Sequence, residues 1–130
     1  MQTLTGKVIR GRGYGHRLGY PTANLDRREY ARLRPKLRLG IYAGTATILD
    51  NGHRFRAALV LGLKDKTGLP RIEAHLLGFT DVLYGRRLAL SFIRYLRPFM
   101  SFRKEGEDVL KKQIKKDIAR VKKLINLTQW

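Results

Sequence analysis

The stretch Gly40-Ile41-Tyr42-Ala43-Gly44-Thr45-Ala46-Thr47-Ile48-Leu49, followed by Asp50-Asn51-Gly52 and an apolar run over residues 55–63, decides the class of the fold. Ile41, Tyr42, Thr45, Thr47 and Ile48 suit a pleated surface, where branched and aromatic side chains pack well. Asn51-Gly52 signals a hairpin, since both residues tolerate the positive φ of the two central positions of a type I′ turn. Residues 55–63 are then the return strand. Working outward, residues 64–68 read as a second turn, 70–79 as a third strand of a meander, and Tyr84-Gly85 as a turn into a strand over 87–96. Upstream, residues 5–10 form a short strand with Val8 and Ile9 as its apolar members. Residues 26–39, rich in Arg and interrupted by Pro35, read as an irregular excursion or a very short helix.

The period changes near the end of the chain. Val109, Leu110, Gln113, Ile114, Asp117, Ile118, Val121, Leu124 and Ile125 recur at helical spacing, predicting an amphipathic helix over about residues 104–125. Glu105, Glu107 and Asp108 at its start and Lys122-Lys123 near its end complement the helix dipole. Five or six antiparallel strands and one packing helix predict an all-β chain: a small barrel over about residues 4–100 with the helix laid across it. Closing the sheet removes edges that would otherwise aggregate.

The 130 residues contain no repeat, low-complexity tract or Gly/Ser linker, so one domain over 1–130 is expected. With 43% hydrophobic and 29% charged residues the balance is that of a soluble globular protein. The absence of cysteine excludes a disulfide framework, a thiolate zinc site and a cysteine nucleophile. No apolar run is long enough to span a bilayer, and the N-terminus lacks the blocks of a signal peptide. A cytoplasmic location is therefore expected. The net charge of +18 is concentrated at the two ends, the middle of the chain being nearly neutral. Such a field attracts phosphates of nucleotides, nucleic acid or anionic lipid, although charge alone does not choose among them.

Three places have the residue types for chemistry. Gly11, Gly13, Gly15 and Gly19 fall in nine residues, with Arg12, His16, Arg17 and Leu18 between them and Pro21 shortly after. The intervals fit neither the dinucleotide-binding fingerprint nor a Walker A loop. Glycines with exposed N–H groups and arginines are nonetheless the parts of a phosphate cradle, beside the simpler reading of a flexible loop. Thr22 and Asn24 are hard oxygen donors on one face of an extended segment, suited to Mg²⁺ or simply to local turn hydrogen bonds. Arg71, Glu73 and His75 share one face of their strand. Glu73 can act there as a general base on a hydroxyl, or as the ordinary ion-pair partner of Arg71.

These residues carry a resemblance. Val8, Gly11, Gly15 and Leu18-Gly19-Tyr20-Pro21-Thr22-Ala23-Asn24 resemble the opening motif of the flavokinase family, the riboflavin kinases. Gly40-Ile41-Tyr42-Ala43, Ile72-Glu73-Ala74-His75, Phe79, Leu83-Tyr84-Gly85, Arg97, Phe102, Leu110, Gln113-Ile114 and Asp117 follow in the family's order. The resemblance implies a six-stranded Greek-key barrel and transfer of the γ-phosphoryl group of ATP to the 5′-hydroxyl of riboflavin, giving FMN and ADP. It assigns nucleotide binding to Gly11, Gly13, Gly15, His16, Arg17, Leu18, Gly19, Pro21 and Thr22. Thr22 and Asn24 would hold Mg²⁺, Glu73 would be the catalytic base, and Tyr84, Arg97 and Phe102 would form the flavin side. The chain departs from the family pattern at His16, at residues 63–68 in place of an Asn-Pro-Thr signature, and at Gly78, Val82, Phe99 and Ser101. A monomeric enzyme making FMN, without an adenylyltransferase domain in front, is the leading expectation. The alternatives are a basic barrel that binds flavin or nucleic acid without catalysis, and a flavin-sensing regulator.

Overall fold

A computed structural model describes residues 2–10, 22–33, 35–100 and 105–127. Six strands appear in it: β1 (Gln2–Ile9), β2 (Ala23–Leu25), β3 (Gly40–Ile48), β4 (Arg54–Lys64), β5 (Pro70–Leu76) and β6 (Arg87–Arg97). Two helices join them, the one-turn α1 (Arg28–Ala31) and the long α2 (Glu107–Leu124). All neighbouring strands are antiparallel, and the sheet closes in the order β1-β2-β5-β4-β3-β6. β3, β4 and β5 form the expected meander, and β6 returns to lie beside β3, which is the Greek-key arrangement. The sixth strand is the three-residue β2, a piece of the Pro-Thr-Ala-Asn segment that periodicity is too short to reveal.

Alternation builds the barrel. Along β5, Pro70, Ile72, Ala74 and Leu76 are buried while Arg71, Glu73 and His75 face outward. The interior is filled by Leu4, Leu25, Ile48, Leu59, Leu61, Ile72, Leu88 and Leu90, so the barrel is a packed core with no channel through it. One end is closed by aromatic residues. Tyr42 meets Phe92 and Tyr95 edge to face, with ring centroids 5.2 Å apart in both pairs. The hydroxyls of Tyr30, Tyr42 and Tyr95 donate to the carbonyls of Leu37, Arg38 and Leu39, fixing the segment that precedes β3. At Gly44 a Cβ would lie 1.9 Å from the carbonyl oxygen of Ser91, so only glycine allows β3 and β6 to approach as they do beside their register shifts.

The β3–β4 turn differs from the expected type I′ form. Gly52 has φ +74°, but no described non-glycine residue has positive φ, so Asn51 stays right-handed. The register pairs Thr47 with Arg54, and Ile48 N–H donates to His53 O. That leaves four residues in the connection, and Gly52 N–H closes it on Ile48 O at 2.8 Å. Asn51 contributes its side chain instead, accepting from His53 N–H.

Helix α2 covers the outside of the barrel. Val121 and Ile125 pack on Ala43 and Ala58, with Leu77, Ile93 and Leu96 around them. A polar clamp sets the position of the helix. Asp117, with a side chain only 6% exposed, accepts from Arg97 Nε at 3.0 Å and Nη2 at 2.7 Å, and from Gln113 Nε2 at 3.1 Å. Removing one partner of such a pair strands a buried charge. We expect Asp117→Ala to cost about 3–5 kcal/mol, read as a lower urea midpoint. Arg97→Met/Asp117→Leu should recover most of that loss, and a double variant as unstable as Asp117→Ala would contradict this account.

Candidate active site

The pairing of β2 with its neighbours brings the chemistry together. Asn24 is opposite Glu73 on β5 and opposite Ile9 on β1. Opposed residues have Cα atoms about 4.5–5.5 Å apart and project to the same face. Ala23 and Leu25 point into the core and so do Ile72 and Ala74, which leaves Asn24 and Glu73 side by side on the outer face. Thr22, directly before β2, lines the same cavity wall as Asn24. Asn24, expected separately from Glu73 in the sequence, thus stands beside it and also shares a cavity wall with Thr22. Arg71 approaches Glu73 with Nη1 3.9 Å from Oε1.

Two cavities meet at Asn24. The larger, about 600 Å³, lies at the barrel end formed by Thr22, Asn24 and the loop after β5, with Phe79, Asp81 and Tyr84 on its wall. The smaller, about 280 Å³, is lined by Asn24, Arg27, Asp65 and Arg71 among others. Ile9, Arg10 and Asn24 belong to both. The Arg10 guanidinium lies 5.1 Å from the centroid of the Tyr84 ring, a cation–π contact at the rim of the larger cavity. Arg10 and Asp81 were not singled out by motif reading. The only sequence signal for Arg10 is its place directly before the glycine run.

Tyr84 and Arg97, expected together on the flavin side, are far apart in the structure. Tyr84 belongs to the cavity of Thr22 and Asn24. Following the rung outward from Asn24, Glu73 faces Val60, Val60 faces Ile41, and Ile41 faces Arg97. That rung is the long way round the closed barrel; along the chain, Tyr84 lies before the first residue of β6 and Arg97 is its last, 11 strand residues on at about 3.3 Å each. Its guanidinium is engaged by Asp117. Gly11, Gly13, Gly15, His16, Arg17, Leu18, Gly19, Pro21 and Phe102 lie outside the described residues.

The donor set fits a magnesium–phosphate complex. Thr22 and Asn24 offer neutral oxygens and Glu73 a carboxylate. Among the described residues no group of three or more His, Cys, Asp or Glu side chains is placed to hold a metal by itself. Few protein ligands of hard oxygen type, completed by phosphate oxygens and water, are what Mg²⁺ takes in phosphoryl-transfer sites. The smaller cavity is braced from the side by Asp65, which accepts from Arg27 and from the Thr67 hydroxyl and N–H. These hydrogen bonds, the Thr67 hydroxyl first, hold the Asp65 carboxyl well below the usual carboxylate range. This bridge occupies the stretch where the family's Asn-Pro-Thr signature is missing.

The chain matches the family described as riboflavin kinase over residues 1–125. It is 32% identical over 131 residues to an RNA-binding riboflavin kinase of Bacillus subtilis, covering 98% of this chain and 53% of that protein. It is 30% identical over 128 residues to the riboflavin kinase of Homo sapiens, covering 95% of this chain and 81% of that one. The crystal structure of a riboflavin kinase from Trypanosoma brucei is similar with a TM-score of 0.65 at 24% identity, over 98% of this chain and 81% of that chain, a likeness of fold. The chain spans about half the length of the Bacillus relative.

Directly after the cluster, Asp26 anchors the exit of β2. It accepts from the Arg28 backbone N–H and guanidinium, and the side-chain hydrogen bonds lower its pKa from 3.8 to about 2. A depressed carboxylate contributes stability above its unfolded pKa, which is lost as pH falls through the folded value. Unfolding free energy measured by urea titration should therefore drop between about pH 4 and pH 2. Asp26→Asn should make that drop shallower, and an identical pH profile in the variant would remove Asp26 from the account.

Proposed function

Because the chain belongs to the riboflavin kinase family, we propose that it transfers the γ-phosphoryl group of ATP to the 5′-hydroxyl of riboflavin, giving FMN and ADP. The observation that carries this reading is the Asn24–Glu73 pair, in which Asn24 lies on the wall shared by two cavities and Glu73 stands opposite it on β5. Phosphoryl transfer needs a donor and an acceptor held on either side of one reacting phosphorus, with positioning and electrostatics doing most of the catalysis.

In this reading the larger cavity takes the nucleotide, with Thr22 at its phosphate end and Tyr84 and Arg10 at its rim. Thr22 Oγ1 and Asn24 Oδ1 would hold Mg²⁺, which when bound would supply charge neutralisation at the phosphate oxygens. Glu73 orients the riboflavin 5′-hydroxyl and accepts its proton as the oxygen bonds to the γ-phosphorus. The bond from that phosphorus to the β–γ bridging oxygen breaks, and ADP leaves. Arg71, with Nη1 3.9 Å from Glu73 Oε1, places a positive charge beside the carboxylate that receives the proton. Residues 11–19 would contribute further backbone donors to the phosphates.

Incubation with riboflavin, Mg²⁺ and ATP, CTP or GTP in separate tubes should yield FMN with ATP on chromatography, and no FMN from any of the three would overturn the proposal. Glu73→Gln should lower kcat by about 10²–10⁴-fold while riboflavin binding, read by quenching of its fluorescence, persists. Unchanged turnover would remove Glu73 as the base. Asn24→Ala should raise the Mg²⁺ concentration needed for half-maximal rate, with a smaller effect on the KM for riboflavin; an unshifted Mg²⁺ requirement would contradict its role as a ligand.

A further inference from the structure

The proposed kinase site accounts for few of the 28 basic side chains. Many of the others are collected on α2. Lys111, Lys112, Lys115, Lys116, Arg120, Lys122 and Lys123 are all exposed, and at 100° per residue they fall on one half of the helix. The opposite half is occupied by Asp117, Val121 and Ile125, packed against the barrel. Between residues 109 and 124 the only carboxylate is Asp117, which is turned inward and paired with Arg97. No acid therefore interrupts the outer face over those residues.

Arg120 and two further arginines, Arg54 and Arg56 of β4, anchor this face. Arg120 donates to Leu96 O, Arg56 to Lys122 O and Arg54 to Leu127 O, the last two beside the C-terminal end of the helix. Their charges extend the stripe onto the barrel wall and hold the helix in place. Residues four apart on a helix are about 6 Å apart along its axis, close to the spacing of successive phosphates on one strand. The face suits an extended polyanion better than a single small phosphate.

We propose that the outer face of α2 is a docking surface for the phosphodiester backbone of duplex nucleic acid, read without regard to base sequence. Charge complementarity selects nucleic acid over a membrane. Most of the apolar face that a surface helix would insert among lipids is already buried against β3 and β4, and the exposed Val109 and Leu124 sit singly near the two ends of the helix. Among the described residues no exposed aromatic side chain stands on this face to stack with bases, which selects a duplex over a single strand. Tyr84, the exposed aromatic among the described residues, sits at the nucleotide cavity and away from this face.

Fluorescence anisotropy of the full chain with a labelled 20-base-pair DNA duplex, an RNA duplex and a single-stranded RNA of equal length tests this. The affinity for a duplex should fall roughly 500-fold between 50 and 200 mM salt, as about five neutralised phosphates require. Lys115→Gln/Lys116→Gln/Lys122→Gln/Lys123→Gln should reduce the log–log salt slope by about 3–4, with far-UV circular dichroism and riboflavin phosphorylation unchanged. The pair Lys115→Gln/Lys116→Gln should weaken binding at least threefold more than Lys64→Gln/Lys66→Gln, which removes the same charge from the β4–β5 turn. Equal losses in the two pairs would reduce the effect to net charge and overturn the proposal. So would tighter binding to the single strand, or binding to vesicles containing 30% (roughly) anionic lipid but not to either duplex.

Discussion

Closure of the sheet is the constraint on which everything else in this protein depends. β6 pairs with β1 on one side and β3 on the other, so no strand can slide without breaking two ladders. A slip of one residue would exchange the inner and outer faces of a strand and bring Glu73 into a core of leucines. The register that buries Ile72 and Ala74 is the same register that sets Glu73 beside Asn24. Core packing and site geometry are thus one decision, made once by the alternation of β5.

The outside of the barrel is divided by function. Its helix-covered side is apolar at Ala43, Ala58 and Val121, and the Arg97–Asp117 clamp gives the helix a defined seat. A buried ion pair is weak evidence for stability, because desolvation offsets much of the attraction, but it penalises misplaced packing severely. Arg97 ends β6, at the far end of that strand from Tyr84, and its guanidinium is held by Asp117 in the helix seat. The cationic half of the helix looks away from the barrel and shares no side chain with the Asn24–Glu73 pair.

Much of this was legible because the signals are local. Strands β3 to β6 announce themselves through branched residues, alternation and turns, and α2 through its period and its end charges. The type of the Asn51-Gly52 turn was not legible, since a dipeptide preference cannot count the residues that the register leaves in the loop. β2 escaped periodicity because three residues carry no period, and its existence depends on β1 and β5 flanking it. Arg10 and Tyr84 are 74 positions apart and meet only at a barrel end, a contact that no local signal encodes.

The sequence by itself determined which side chains are available and which face of each element they occupy: Thr22 with Asn24, Arg71 with Glu73 and His75, and seven cations on half of one helix. Those facts follow from fixed periods of two and 3.6 residues and need no partner strand. Only the tertiary structure decided which of these faces meet. Placing Asn24 against Glu73, moving Tyr84 to the cavity of Thr22 and turning Arg97 toward Asp117 all require the order of strands around the barrel. That order is set by long-range closure of the sheet, in which each strand's neighbours are chosen by the whole chain rather than by its own residues.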